Sequence, residues 1–235
     1  MEARPHNTSE QASEARQPPA TPYRIRPFHR DDRKAVRRIC ASCAWLGRPD
    51  STHTLDADIW AEFWTRYFTD CEPQHTWVVE HGDSVVGYLT GTTNAACVDR
   101  YLPRLIPSIV WRAARARLLR RPERRALVHG MLASLARGEL AVPPEVRRAA
   151  PATFHVNLLA EARARGLGTS LIRTCLDRMR RLGVPGVHVQ IMSHNAAAIR
   201  CAERLGFRPA GVRRLTAYAR VDPQPIDVHT LALVL

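Results

Sequence analysis

A strongly apolar segment, Phe154-His155-Val156-Asn157-Leu158-Leu159, runs almost directly into Arg163-Ala164-Arg165-Gly166-Leu167-Gly168, where a long amphipathic pattern begins. A strand that turns into a helix through two glycines permits few topologies. The helix must cross over and feed a parallel neighbour, and the run from Val187 to Met192 supplies one. The helix sets Leu171, Ile172, Cys175, Leu176, Met179 and Leu182 on one face and stops at Gly183 with Pro185. At the junction, amide N–H groups around Gly166 and Gly168 are free to point outward with no side chain across them. The helix dipole and the nearby Arg163 and Arg165 add positive potential, so the junction suits an anion such as a pyrophosphate. Glycines here also serve tight packing, and the surroundings have to decide between the two.

Those surroundings form an ordered series. Tyr23-Arg24-Ile25-Arg26-Pro27 alternates as an edge strand, and Asp31 stands as a cap for a helix carrying Val36, Ile39, Cys40 and Cys43. Asp56 to Tyr67 presents Ile59, Trp60, Phe63, Trp64 and Tyr67 at helical spacing, a face for core packing with a substrate cleft as the alternative. Thr76 to Glu80 and Ser84 to Thr92 flank the turn His81-Gly82-Asp83 as a hairpin. Residues 97–150 interrupt the strands with short helical pieces and read as an insertion. Asn195 caps a helix with Ile199, Ala202 and Leu205, and Phe207 to Tyr218 and Val228 to Leu235 close the sheet as strands.

Composition removes several classes of function. The formal charge is +13, yet Lys34 is the only lysine and has no glycine near it, so a P-loop is excluded. The arginines between Trp111 and Arg125 suit nucleic acid or an acidic partner, but a solvated helix face is preferred and nucleic acid is not the expected partner. Residues 1–20 lack apolar runs and read as a disordered tail, leaving 21–235 as one domain. Apolar runs such as Leu231 to Leu235 are too short to span a bilayer and no export signal stands out; a cytoplasmic protein with no membrane partner is expected. The dispersed cysteines read as reduced thiols. Cys40-x-x-Cys43 has no second ligand pair, so no metal is expected.

Gly166-x-Gly168 begins a dinucleotide fingerprint, but Leu171 stands where its third glycine belongs. Read as Arg163-x-x-Gly166-x-Gly168 after Asn157-Leu158-Leu159, the segment resembles the acetyl-CoA signature of the GNAT superfamily. The resemblance extends to Ile25-Arg26-Pro27 with Asp31-Asp32, to Val85-Val86-Gly87-Tyr88, and to Asn195-Ala196-Ala197-Ala198 with Leu205-Gly206-Phe207. It covers most of residues 23–218. The long insertion and the His155 strand look most like a prokaryotic subgroup related to the acetyltransferase-like domain beside O-GlcNAc hydrolases.

The resemblance implies an α/β GNAT fold: a mixed, mostly antiparallel sheet of about seven strands, a splayed parallel pair, and helices on both faces. Acetyl-CoA would lie in the splay as co-substrate, its pantetheine bonded by backbone groups of Leu158 and Leu159. Its pyrophosphate would rest on Arg163, Arg165, Gly166, Leu167, Gly168 and Thr169, near Asn195. The implied reaction is N-acetyl transfer to a primary amine, on a small molecule or a protein, by direct attack in a ternary complex. A homodimer is compatible with it. His155, on the same strand face as Asn157, is the candidate base, with Glu80 behind it, and a backbone N–H of the strand is the oxyanion donor. A structural role for His155 stands beside the catalytic one. Ala202 replaces the tyrosine that many members use to protonate the thiolate. Tyr218 could substitute, the thiolate could leave unaided, or the chain could bind acyl-CoA silently. Cys201 reads as packing, not as a nucleophile.

Overall fold

The computed structural model describes residues 22–44, 56–220 and 224–235. The tail expected over residues 1–20 lies outside them. The chain runs β1 (Tyr23–Pro27), α1 (Arg33–Ser42), α2 (Ala57–Cys71), β2 (Thr76–His81) and β3 (Ser84–Thr92). Three helices follow, α3 (Ala95–Arg115), α4 (Pro122–Ala136) and α5 (Pro144–Ala149). The chain then continues through β4 (Ala152–Leu158), α6 (Leu167–Arg181), β5 (Gly186–Met192), α7 (Ala196–Arg204), β6 (Arg208–Leu215) and β7 (Ile226–Val234). These strands form one seven-stranded sheet in the order β1-β2-β3-β4-β5-β7-β6. Among the described residues only β4 and β5 pair in parallel, as the crossover through α6 requires.

The apolar patterns set the layers. Leu171, Cys175 and Met179 of α6 and Ala202 of α7 pack on one face of the sheet with Val79, Leu89 and Phe207. Val36, Ile39 and Cys40 of α1 and Ala61 of α2 cover the other face, against Val78, Val85 and Tyr88. Asp56 caps α2 by accepting from the N–H groups of Asp58 and Ile59. At α1 the cap is Asp32 and not the expected Asp31, because a short 3-10 turn over Arg30–Asp32 precedes the helix. The Asp32 carboxylate accepts from His29 N–H at 2.8 Å and from Arg26 at 2.7 and 2.9 Å, tying that turn to β1.

The helices between β3 and β4 pack outside this sandwich. Arg112 of α3 reaches Glu62 of α2 at 2.7 Å, while Tyr101 meets Tyr67 edge to face at 5.4 Å. Leu127 of α4 joins Leu215, Tyr218, Ile226 and Val228 in a separate cluster at the β6–β7 end. Glu139, just beyond α4, accepts from Ser134 Oγ at 2.6 Å, Arg137 Nε at 2.6 Å and Thr216 N–H at 2.7 Å. The last expected strand boundary moves. β6 ends at Leu215, and Tyr218 sits in the turn that follows, inside the α4 cluster.

Candidate active site

The parallel pair makes only two residue matches, Ala152 with Val187 and Thr153 with His188, and the strands then part. On its other side β4 stays fully paired with β3 from Thr153 to Leu158. Leu159 continues that ladder, donating its N–H to Val86 O at 2.9 Å. Strand alternation therefore turns the main chain of Phe154, Val156 and Leu158 away from β3, toward the opening. This corrects the expected pair. Leu159 is spent on β3, and its carbonyl accepts from Ala162 N–H at 3.0 Å. Leu158 and Val156, the latter not named from the sequence, turn their main chain to the opening, with the Leu158 carbonyl accepting from Arg163. The strand period of two carried that information once any one amide was assigned.

At the open end stands the N-terminus of α6. Gly166 is its N-cap, at φ +75° and ψ −6°, and no side chain caps the helix. A Cβ on Gly166 would meet nothing within 4 Å, so the backbone conformation and not crowding asks for glycine there. A Cβ on Gly168 would sit in ordinary contact with Leu158 Cδ1 at 3.5 Å. Neither glycine is needed for protein packing, which removes the alternative left open by the sequence. The first intrahelical bond from this end is Ser170 N–H to Gly166 O at 3.0 Å, so the amides of Leu167, Gly168 and Thr169 precede the helical ladder. Thr169 Oγ1 lies 3.5 Å from Cys201 Sγ, which joins α6 to α7.

The two arginines do not aim at this terminus. Arg163 Nε donates to Leu158 O at 2.9 Å and its Nη2 reaches Cys43 Sγ at 3.5 Å. The Leu158 carbonyl has no strand partner on its open side, and the guanidinium supplies one. Arg165 Nε donates to Glu161 O at 2.8 Å, with its guanidinium over the Tyr23 ring at 5.3 Å. Both groups keep positive charge in the loop while bracing it. Asn195 caps α7, its Oδ1 accepting from Ala198 N–H at 3.2 Å.

His155 and Asn157 face the α1–α2 side together, as their spacing of two requires. Tyr88, fully buried on β3, links them: Asn157 Nδ2 donates to Tyr88 Oη at 2.9 Å, and Tyr88 Oη lies 3.3 Å from His155 Nδ1. Trp64 of α2 stacks on the His155 ring at 5.6 Å with planes 29° apart. Burial among these rings pulls the His155 imidazole down to about 4, so it is neutral at physiological pH. Trp64 remains 36% exposed, whereas Ile59, Tyr67 and Phe68 of the same helix are buried. The aromatic face of α2 thus packs into the core, as preferred from the sequence, with Trp64 at its half-exposed edge. Tyr88 stood in the sequence only as part of a strand motif and Trp64 only on a face with core and cleft as alternatives, since the β3–β4 register and the seating of α2 are what bring them to His155.

Other expected groups lie elsewhere. Tyr218 is 2% exposed in the α4 cluster, and that burial pushes its hydroxyl up to about 12. That placement, in the α4 cluster and apart from His155 and Asn157, argues against its expected role as the acid. Glu80 pairs with Arg26 at 3.2 Å toward the β1 edge, so it does not stand beside His155. Ala202 is buried in the α6–α7 core. Cys40 and Cys43 are free thiols, and burial raises both above the ordinary thiol range.

The same segment stands out on comparison with known proteins. Residues 138–207 match the model of the acetyltransferase (GNAT) family. Among solved structures, SsHAT is 27% identical at a TM-score of 0.64, over 90% of this chain and 98% of that one. A polyamine N-acetyltransferase of Drosophila melanogaster is 18% identical at a TM-score of 0.58, over 91% of this chain and 100% of the other. The yncA acetyltransferase of Salmonella typhimurium, solved with acetyl-CoA, is 17% identical at 0.53, over 91% and 94%. With a sheet parted beside the one parallel pair among the described strands, a bare helix N-terminus at the opening and the family model lying across both, this chain has the fold of the GNAT acetyltransferases and carries a segment similar to that family's model.

Proposed function

We propose that the chain transfers an acetyl group from acetyl-CoA to a primary amine by direct attack in a ternary complex. One observation carries this reading: the strand pair that opens after two residues onto an uncapped helix N-terminus. The pyrophosphate takes the amides from Gly166 to Thr169, and pantetheine lies along the main chain of Val156 and the N–H of Leu158 as an added strand, the Leu158 carbonyl being held by Arg163. Arg163 and Arg165 act by shaping the loop, and Asn195 by holding α7 beside it.

On the opposite face of β4 the amine approaches between Trp64 and His155. An alkylammonium titrates at about 10, so an imidazole near 4 is too weak a base to deprotonate it in advance. The amine therefore enters neutral, and its lone pair attacks the thioester carbonyl. A β4 amide stabilises the oxyanion. His155 then takes the much more acidic proton of the tetrahedral adduct, directly or through water, while Tyr88 and Asn157 fix its ring. The C–S bond breaks, and a thiolate whose conjugate acid titrates at about 8.5 leaves without an obligatory acid. That chemistry fits a chain with Ala202 and a buried Tyr218.

The reading is tested by thiol release from acetyl-CoA with a panel of amines, led by polyamines and agmatine because solved structures of similar fold include acetyltransferases for them. Turnover with at least one amine, reduced about a hundredfold in His155→Ala, is expected. Tight CoA binding without thiol release from any acceptor would instead favour a silent acyl-CoA-binding domain, the reading that Ala202 supports.

A further inference from the structure

α2 and α3 meet through a series of contacts whose order fixes their relative direction. Arg112 of α3 reaches Glu62 of α2 at 2.7 Å, and Tyr101 meets Tyr67 edge to face at 5.4 Å. Thr92, the last residue of β3, donates to Glu72, the first residue after α2, at 2.9 Å. Positions that rise toward and along α3 meet positions that fall along α2, so the two helices run antiparallel. Cys71 stands one turn beyond Tyr67 and Cys97 one turn before Tyr101, each on the side that its tyrosine presents to the other helix. Antiparallel packing therefore sets the two cysteines opposite each other. Facing Cα atoms on helices packed about 8–10 Å apart lie about 4–6 Å from one another, within the span of a disulfide.

The surroundings of the two sulfurs differ. Cys71 is exposed and Cys97 half-buried, whereas Cys40, Cys43 and Cys175 are buried. Arg100 Nη2 donates to Cys97 Sγ at 3.2 Å, which fixes a cation where charge moves when that sulfur attacks. Residual desolvation, with Asp70 and Glu72 nearby, holds the Cys71 thiol above its ordinary range, so Cys97 reacts first and Cys71 second. Tyr67 reports the closeness of the two helices: burial first and then Glu72 raise its hydroxyl, and Cys97 adds to the effect.

We propose that Cys71 and Cys97 form a peroxide-sensitive pair that closes into a disulfide and clasps α3 to the helix bearing Trp64. Cys97 Sγ attacks hydrogen peroxide, the O–O bond breaks and one water leaves, giving a sulfenic acid. Cys71 Sγ attacks that sulfur, the S–O bond breaks and the second water leaves. Two thiols lose two electrons and two protons, and the peroxide is reduced to two waters. Trp64 lies two turns before Cys71 on the same side of α2, so the clasp restrains the ring that stacks on His155. This consequence rests on the acetyl-transfer reading, while the bond itself does not.

The full chain is tested by treatment with hydrogen peroxide followed by alkylation and peptide mapping. No arginine or lysine lies between Arg66 and Arg100, so trypsin leaves both cysteines on one peptide. That peptide is expected to lose two hydrogens, to escape alkylation, and to stay joined after further cleavage at Glu72 and Glu80, with dithiothreitol reversing all three. The melting temperature should rise by about 5–10 °C on oxidation, as closing a loop of this size implies. Cys71→Ser and Cys97→Ser should each abolish the rise without lowering the melting temperature of the reduced protein. Oxidation should also lower kcat/KM for an amine about threefold or more, with CoA affinity unchanged. A chain without turnover in either redox state would count against acetyl transfer and leave the bond to be judged by mass and melting. Three results would overturn the proposal: sulfinic acid at Cys97 beside a free Cys71, a link from either residue to another cysteine, or a joined peptide with melting and amine kinetics unmoved.

Discussion

Glycine does two different jobs in the loop before α6, and substitution separates them. At Gly166 the φ of +75° makes any side chain strained, at a cost of about 1–2 kcal/mol, so a loss of function there mixes folding with binding. Gly168 has no such constraint, and its Cβ position contacts only Leu158 Cδ1. Gly168→Val is therefore expected to keep the fold while weakening CoA at least tenfold, about 1.4 kcal/mol, measured by calorimetric titration. Unchanged affinity in a folded variant would remove the helix terminus from the site. His155 offers a second single-residue test. Its imidazole is pulled down to about 4 from an ordinary 6.5, so the folded state resists protonation. The sign follows: full stability persists above about 6.5 and declines as pH falls from there toward 4, by on the order of 3 kcal/mol. Proton NMR of the imidazole should give a midpoint near 4, and Trp64→Ala, which uncovers the ring, should move it upward. His155 was recognisable in the sequence as a residue type on a strand. Its shifted titration was not, because Trp64 and Tyr88 lie far from it along the chain.

Among the elements, α4 is the one whose attachment rests on a polar knot. Burial alone would raise the Glu139 carboxyl, but hydrogen bonds from Ser134, Thr216 and Arg137 outweigh it and bring the group down to about 2. Its contribution is present above an unfolded value of 4.5 and is lost as pH falls toward 2, on the order of 3 kcal/mol across that window. Glu139→Gln should remove most of that contribution at neutral pH and flatten the acid limb of stability, read from urea unfolding at a series of pH values. Of the remaining elements, β1, the β2–β3 hairpin, α6 and α7 were legible because each combines a period with a stop signal. Gly82-Asp83 closes the hairpin, and Asn195 caps α7. The end of β6 was not legible. Thr216 to Tyr218 is apolar enough to extend a strand, and its packing under α4 bends it into a turn instead.

For the molecule as a whole, the parting of β4 from β5 leaves backbone groups that a bound cofactor can pair, and binding should register as stability. At about a hundred times the dissociation constant, CoA should add about 2.7 kcal/mol, a rise in melting temperature of roughly 5–10 °C. A melt unmoved by saturating CoA would count against the opening as its site. The order of strand, glycine junction and helix could be read along the chain because hydrophobic period and backbone permissiveness are local properties, and local order is enough to dictate a parallel crossover beside an otherwise antiparallel sheet. Which amides face the opening, why Arg163 braces Leu158, why Tyr218 is sealed away and why Trp64 covers His155 depend on contacts between segments distant in sequence. Composition lists such residues without saying which of them meet, and packing supplies that answer by bringing α2, β3 and β4 into register.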